Sequence, residues 1–285
     1  MNTTEQRQII QNISRGILKD IISFCEKHDI EYFMMYGSLI GAVRHHGVIP
    51  WDDDIDIAMT RDNYYRFFEC IKNDDDFNRK YNLWVNGSGS VKYVSELKIG
   101  KLGTKYCLKI GEDLKINKFI TVDIFCVDYI KERYLSNISL KNRLRIFLSI
   151  SKLNWDEKRF MMRVFRNGNS KYKYLKIIVL YLMHILRLIC TEKGIEHLIY
   201  NMTVDETRTS NRMGIVEGGL RPVIWSSGFS LKKVKFDDLQ VLIPDNYHEI
   251  LTKAYGDYMT PPSEERRYGL DRHDTILEVN GVVYS

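Results

Sequence analysis

The chain has little cysteine and spaces it badly for cross-linking. Its five cysteines, Cys25, Cys70, Cys107, Cys126 and Cys190, are scattered with no Cys-x-x-Cys pair. That argues against a disulfide framework and a cysteine-rich zinc site, leaving small core residues in a reducing compartment. The first residues lack the basic-then-apolar pattern of a secretory leader. The longest apolar stretch, 177–189, is interrupted by His184 and Arg187 and is too short to cross a bilayer. No transmembrane helix is expected, and the cytoplasm is the expected location. Internal repeats and low-complexity segments are also missing.

What is present suits a folded enzyme. A length of 285 residues, 44% hydrophobic and 28% charged, fits one large domain or one domain with an insertion. Residues 5–27 carry Ile9, Ile13, Ile17 and Ile21 at four-residue intervals, which predicts an amphipathic helix. Strand-like runs are expected at 32–36, 55–59, 81–85, 91–99, 105–110, 119–127 and 234–243. Short helices are expected at 39–44, 60–71 and 247–255. The segment 135–189 changes character and reads as two or three helices. Between 131 and 187 stand fourteen Lys or Arg against Glu132, Asp156 and Glu157, a balance of +11; the rest therefore carries 5 − 11 = −6. Such asymmetry predicts either a basic face aimed at something anionic or a solvated helical surface.

The functional signal is an acidic run with apolar flanks, Ile49-Pro50-Trp51-Asp52-Asp53-Asp54-Ile55-Asp56-Ile57. Alternate residues of a strand share a face, so Asp52, Asp54 and Asp56 are expected to point one way, neighbours lying about 7 Å apart along it. Folded chains rarely bury such carboxylates without a cation between them. Magnesium, which takes a few carboxylates together with waters and substrate phosphates, suits the set. Asp123, alone in Phe119-Ile120-Thr121-Val122-Asp123-Ile124-Phe125, could complete it. Upstream, Gly37-Ser38 at a strand-to-helix junction offers backbone N–H groups and a hydroxyl to a phosphate. Arg44 suits a bidentate phosphate clamp or a surface ion pair, and Lys98 either neutralises donor charge or is a plain strand-edge lysine. His45 and His46 read as polar loop residues, because adjacent side chains diverge. Trp51, Trp84, Trp225 and the many tyrosines could box a quaternary ammonium by cation–π attraction, although aromatic residues usually serve the core. Taken together, the elements point to a metal-dependent enzyme acting on a phosphate ester.

Tyr36-Gly37-Ser38-Leu39-Ile40-Gly41-Ala42-Val43-Arg44-His45, with the acidic run above, resembles the LicD family of phosphocholine transferases, relatives of fukutin in the nucleotidyltransferase-like superfamily. Further matches are Lys98 with Thr104, Val122-Asp123-Ile124-Phe125-Cys126-Val127-Asp128, Ile243-Pro244, and Tyr255-Gly256-Asp257-Tyr258-Met259 with Pro261-Pro262. His273 looks like the histidine that often closes the pattern. Phe236-Asp237-Asp238 departs from an expected aromatic-acidic-glycine turn, and Cys126 replaces a frequent proline. The resemblance implies an α/β (α+β) fold, a mixed sheet with flanking helices. Residues 1–130 would form the catalytic core, 131–190 a basic helical insertion, and 191–285 the part completing the catalytic domain. It implies transfer of a phospho-alcohol from CDP-choline or another CDP-alcohol to a sugar hydroxyl of a bacterial surface glycan precursor, whether lipopolysaccharide, teichoic acid or capsule. Asp54, Asp56 and Asp123 would hold Mg2+ (or Mn2+), with Asp123 taking the hydroxyl proton and Asp52 and His273 as additional candidates. Gly37, Ser38, Arg44 and Lys98 would meet the donor phosphates.

Rival readings are a manganese-dependent glycosyltransferase, a nucleotidyltransferase releasing pyrophosphate, and a basic module binding membrane or nucleic acid. The last leaves the buried carboxylates unexplained, and no nucleic-acid partner is expected. The basic segment with its apolar helix 172–190 suits peripheral contact with the inner face of a membrane carrying a lipid-linked acceptor. Packing of that helix into the core is the alternative.

Overall fold

The computed structural model describes residues 3–85, 91–110, 114–136, 138–153, 158–159, 161–162, 166, 171–216, 222–264, 267 and 274–284. The fold is α/β, a mixed sheet flanked by helices. Helix α1 (Thr3–Lys27) buries Ile10, Ile17, Leu18, Ile21, Phe24 and Cys25, the stripe its periodicity predicts. After β1 (Phe33–Met34) and α2 (Tyr36–Ile40) comes a π-helical turn (Gly41–His45), closed by His46 in the left-handed region. Then follow β2 (Asp56–Thr60), α3 (Arg61–Lys72), α4 (Asp75–Asn78), β3 (Tyr81–Val85), β4 (Glu96–Lys101), β5 (Thr104–Ile110), β6 (Leu114–Lys118) and β7 (Thr121–Tyr129).

The principal sheet runs β1-β2-β7-β4-β3. Its centre is the parallel pair β2–β7, and β4 joins β7 antiparallel. Both central strands are apolar on each face, as strands covered on both sides must be: Ile57, Ala58, Met59, Val122, Ile124, Cys126 and Val127 are buried. Phe24 of α1 meets Phe67 of α3 edge-on at 5.6 Å, joining the two helices.

Past β7 the chain forms α5 (Glu132–Leu135), α6 (Ile138–Lys152), α7 (Lys173–Ile189) and α8 (Glu192–Thr203). It then returns to the sheet: β8 (Arg212–Ile215) pairs with the end of β7, and β9 (Val223–Ser226) pairs with β8. The expected single strand 234–243 is a hairpin, β10 (Leu231–Phe236) and β11 (Leu239–Pro244). The turn residue Asp237 adopts φ +53°, a conformation that Asp tolerates better than most residues, so the aspartate does here what a glycine would otherwise do. Helix α9 (Tyr247–Tyr255) follows, and β12 (Asp274–Val279) and β13 (Val282–Tyr284) complete a second sheet ordered β13-β12-β5-β6.

Candidate active site

The register of the central strands assembles the floor of the site. Asp56 opens β2 opposite Asp123 of β7, and Asp123 lies opposite Lys98 of β4. Two carboxylates and an ammonium therefore form one row across three neighbouring strands, although 67 positions separate Asp56 from Asp123. The Lys98 ammonium contacts the Asp123 carboxylate and lies 2.9 Å from Glu96 Oε1. Thr121 Oγ1 donates to Asp123 Oδ1 at 2.9 Å, fixing that carboxylate from below.

The acidic run arrives differently from its expected strand. Residues 52–55 are irregular and β2 starts only at Asp56, so alternation along a strand does not set the facing of Asp52 and Asp54. Instead α1 holds the loop. Gln11 Nε2 donates to the carbonyls of Ile49 (3.2 Å) and Asp52 (2.7 Å). Among the described residues, Asp52, Asp53 and Asp54 bring carboxylate oxygens within 4.8 Å of one another. Asp54 is open to the cleft above, while Asp56 is buried at its root.

Gly37 and Ser38 also sit one step from where the sequence suggests. They lie inside the first turn of α2, which begins at Tyr36 rather than at 39. Tyr36 has φ +48°, a costly conformation for a bulky side chain that clusters at functional sites; its ring packs edge-on against Phe125 at 5.0 Å. A Cβ on Gly37 would meet Asp52 Oδ2 at 2.6 Å, so glycine is what lets the acidic loop close over the helix. The Asp56 N–H donates to Ser38 Oγ at 2.9 Å, tying the small-residue turn to the first strand carboxylate.

The cleft has a volume of about 1070 Å³ and runs from Gly37 and the aspartates to Tyr255, Tyr258 and Pro261-Pro262 on the far wall. Arg44 lines it, donating to the Tyr258 carbonyl and, at 3.0 Å, to His45 Nε2. Trp51 lies beneath two guanidinium groups, Arg267 at 4.3 Å and Arg44 at 5.9 Å from its ring centre. The ammonium-box reading of the tryptophans is thereby narrowed: cations of the chain itself already cover Trp51, Trp225 is wholly buried core, and Trp84 lies exposed on β3. His273 lies outside the described residues.

Crowding of like charge dominates the electrostatics. Burial, and then Asp54, push the Asp52 carboxyl up to about 8. Asp54, open on its cleft side, is raised by the protein packed around its other side and then by Asp53, while burial and the charges of Asp54 and Asp123 hold Asp56 well above the carboxylate range. Burial raises Asp123 too, against the opposing pull of Lys98. Burial opposes the Lys98 charge, yet Asp123 and Glu96 outweigh it and keep the ammonium firmly protonated. A set of hard oxygen donors that resist ionising beside one another fits a small divalent cation, because a cation removes the repulsion that raises them. Glu96 and Gln11 are the site residues that sequence reasoning misses. Glu96 lies two residues from Lys98 in the same strand, and that spacing was the available signal.

The chain is similar to known proteins. The family model described as LicD/FKTN/FKRP, nucleotidyltransferase domain, matches residues 29–102, which contain α2, the acidic loop and Lys98. The lipopolysaccharide cholinephosphotransferase LicD of Haemophilus influenzae is 30% identical over 272 residues, covering 90% of this chain and 92% of that protein. The chain belongs to the LicD family. Shorter matches reach uncharacterized proteins of Rickettsia typhi (41% over 55 residues, 19% of this chain and 18% of that one) and Rickettsia prowazekii (34% over 73 residues, 24% and 27%). The Haemophilus match spans nearly all of both chains. It therefore takes in the helical segment after β7 and the strands that return to the sheet, beyond the LicD nucleotidyltransferase block.

Proposed function

We propose that this LicD-family chain is a transferase moving phosphocholine, or a related phospho-alcohol, from a CDP-activated donor to a sugar hydroxyl of a bacterial cell-surface glycan precursor. The observation that carries the reading is the set Asp52, Asp54 and Asp56 lining an open cleft, with Asp123 and Lys98 continuing the row from Asp56 on the two neighbouring strands. The near full-length similarity to a lipopolysaccharide cholinephosphotransferase supports it.

Asp54 and Asp56, with Asp52 beside them and Asp123 adjoining, are the residues that would hold Mg2+. Once bound, the ion would supply positive charge to the donor phosphates and to the departing CMP. Arg44, on the cleft wall, opposes the remaining phosphate charge. Asp123 accepts the proton of the attacking sugar hydroxyl. Its upward shift, caused by burial, favours uptake of that proton, while Lys98 and Thr121 orient it. The hydroxyl oxygen forms its bond to phosphorus opposite the leaving CMP oxygen.

The test is a donor screen by CMP release: CDP-choline, CDP-ethanolamine, CDP-ribitol and CDP-glycerol, with UDP-sugars as controls. Acceptor-dependent CMP from a CDP-alcohol is expected. UDP from a nucleotide sugar, or pyrophosphate from a nucleoside triphosphate, would replace the proposal with another reaction.

A further inference from the structure

Helix α7 (Lys173–Ile189) is apolar on two opposite faces, and among the described residues only one is packed inside the protein. Leu180 and Met183 are buried against Met162, with Phe147 of α6 alongside. On the other side Leu175, Ile178, Leu182, Ile185, Leu188 and Ile189 are all at least half exposed, Leu188 and Ile189 to 74% and 77%. Tyr174 and Tyr181 are exposed among them. At 100° per residue these eight positions fall within one arc of roughly 140°, and no charged side chain interrupts it from Tyr174 to Ile189. A surface helix normally turns charge toward water. A continuous exposed apolar arc of this size marks an interaction surface.

The chemistry around it selects the partner. The segment 131–187 carries an excess of eleven positive charges, and Lys171 is exposed just before the helix. A second copy of the chain would bring two such basic segments together, which like-charge repulsion opposes. An anionic lipid surface meets both demands at once, taking the apolar arc into the acyl boundary and the cations among the headgroups. No helix among the described residues is long and apolar enough to cross a membrane, so the contact would lie along the surface. Tyrosines within the arc suit the headgroup level.

We propose that the outer face of Lys173–Ile189 seats this protein on an anionic bilayer and so presents the cleft to an acceptor held at that surface; the acceptor clause rests on the function proposed above.

Flotation of the full chain with vesicles of phosphatidylcholine and phosphatidylglycerol, against phosphatidylcholine alone, tests it. Binding to the anionic vesicles at low salt, weakening toward about 0.5 M salt, and much less binding to neutral vesicles are expected. The double variant Ile178→Ser/Ile185→Ser, both changes at the centre of the exposed arc, should lose binding by about tenfold or more, with an unchanged melting temperature. Asp56→Asn should float like the wild type whatever the donor screen finds, which separates failure of this proposal from failure of the chemistry. Wild-type protein that does not float, equal flotation on neutral lipid, or a double variant that floats undiminished would each overturn the proposal. A wild-type dimer in sedimentation that the double variant abolishes, without flotation, would assign the face to a second copy instead.

Discussion

Strand β7 carries an aspartate near each end, Asp123 half-buried and Asp128 buried, and the two ends are built to opposite rules. Asp128, at the far end, is matched with its own arginine. Arg61 Nε donates to Oδ1 at 2.8 Å and the second guanidinium nitrogen donates to Oδ2. The same guanidinium reaches the Val94 carbonyl at 3.0 Å and lies among the rings of Tyr64, Tyr65 and Tyr200 at 5.5–5.7 Å. Both carboxylate oxygens there are answered by the one guanidinium. Asp123, five residues earlier, shares a single ammonium with Glu96 and faces Asp56 across the ladder, with the Asp52–Asp54 loop above. Negative groups outnumber the cation placed among them. A buried carboxylate closed off by its own arginine is architecture, whereas carboxylates in excess of their cations fit the metal site proposed above.

Removing charge should therefore act oppositely at the two ends. Asp56→Asn is expected to cut CMP release by about a thousandfold or more. At the same time it should raise the melting temperature measured in EDTA, since it relieves repulsion between Asp56, Asp54 and Asp123. Steady-state kinetics at saturating magnesium and a thermal scan decide it. Near wild-type turnover would remove Asp56 from the chemistry.

At the other end Arg61→Met should leave Asp128 buried and uncompensated, costing about 3–5 kcal/mol, with turnover at low temperature largely kept. Chemical denaturation measures the loss. The double variant Arg61→Met/Asp128→Leu should recover most of it, because the isolated charge has gone. Recovery of stability by any partner change at Asp123 instead would erase the contrast between the two ends.

The acidic loop also gives the metal-free protein a pH signature. The Asp52 carboxyl sits at about 8 in the folded chain against 3.8 for a free aspartate. Between those values the unfolded chain is ionised while the folded one keeps its proton, so stability falls as pH rises from about 4 to 8 and is level above. Magnesium should reverse the slope by favouring the ionised site. Asp54→Asn should flatten it in EDTA, since Asp54 is the largest charge acting on Asp52. Melting temperature against pH, with EDTA and with magnesium, is the measurement; a flat metal-free profile in the wild type would contradict the crowding described here.

Local pattern made some of this readable in the sequence. The four-residue isoleucine spacing announced α1. The apolar run around one acid announced β7 and Asp123. The motif Gly37-Ser38 with Asp54 and Asp56 brought together groups that do meet. What escaped depends on partners distant in sequence. Asp52 and Asp54 stand in a loop, not a strand, because Gln11 of α1 holds the backbone there. Glu96 joins the site only through the β4–β7 register. The break at Asp237 is a backbone choice, φ +53°, in a run whose hydropathy reads as one strand. The apolar helix 172–190 was open to both a core and a surface reading because each face, taken alone, fits one of them.

The finest distinction concerns Ser38, which motif reasoning assigns to donor phosphate and the structure ties to Asp56. Its Oγ accepts from the buried Asp56 N–H at 2.9 Å, so that lone pair is spoken for, while the hydroxyl proton remains to be donated. Ser38→Ala strands a buried N–H, worth about 1–3 kcal/mol of local stability, and loosens the start of β2 where Asp56 is set. If positioning is the main role, kcat should fall by about tenfold with the KM for the CDP-donor nearly unchanged, because the lost contact orients a group needed in the transition state. If the hydroxyl binds phosphate in the ground state, KM should rise by a similar factor with kcat kept. Ser38→Thr tests the hydroxyl itself. It retains both the acceptor lone pairs and the donor proton while adding a methyl group against a buried wall, so rescue by threonine would place the function in the hydroxyl, and the split between kcat and KM in Ser38→Ala then tells the tether to Asp56 from a phosphate contact.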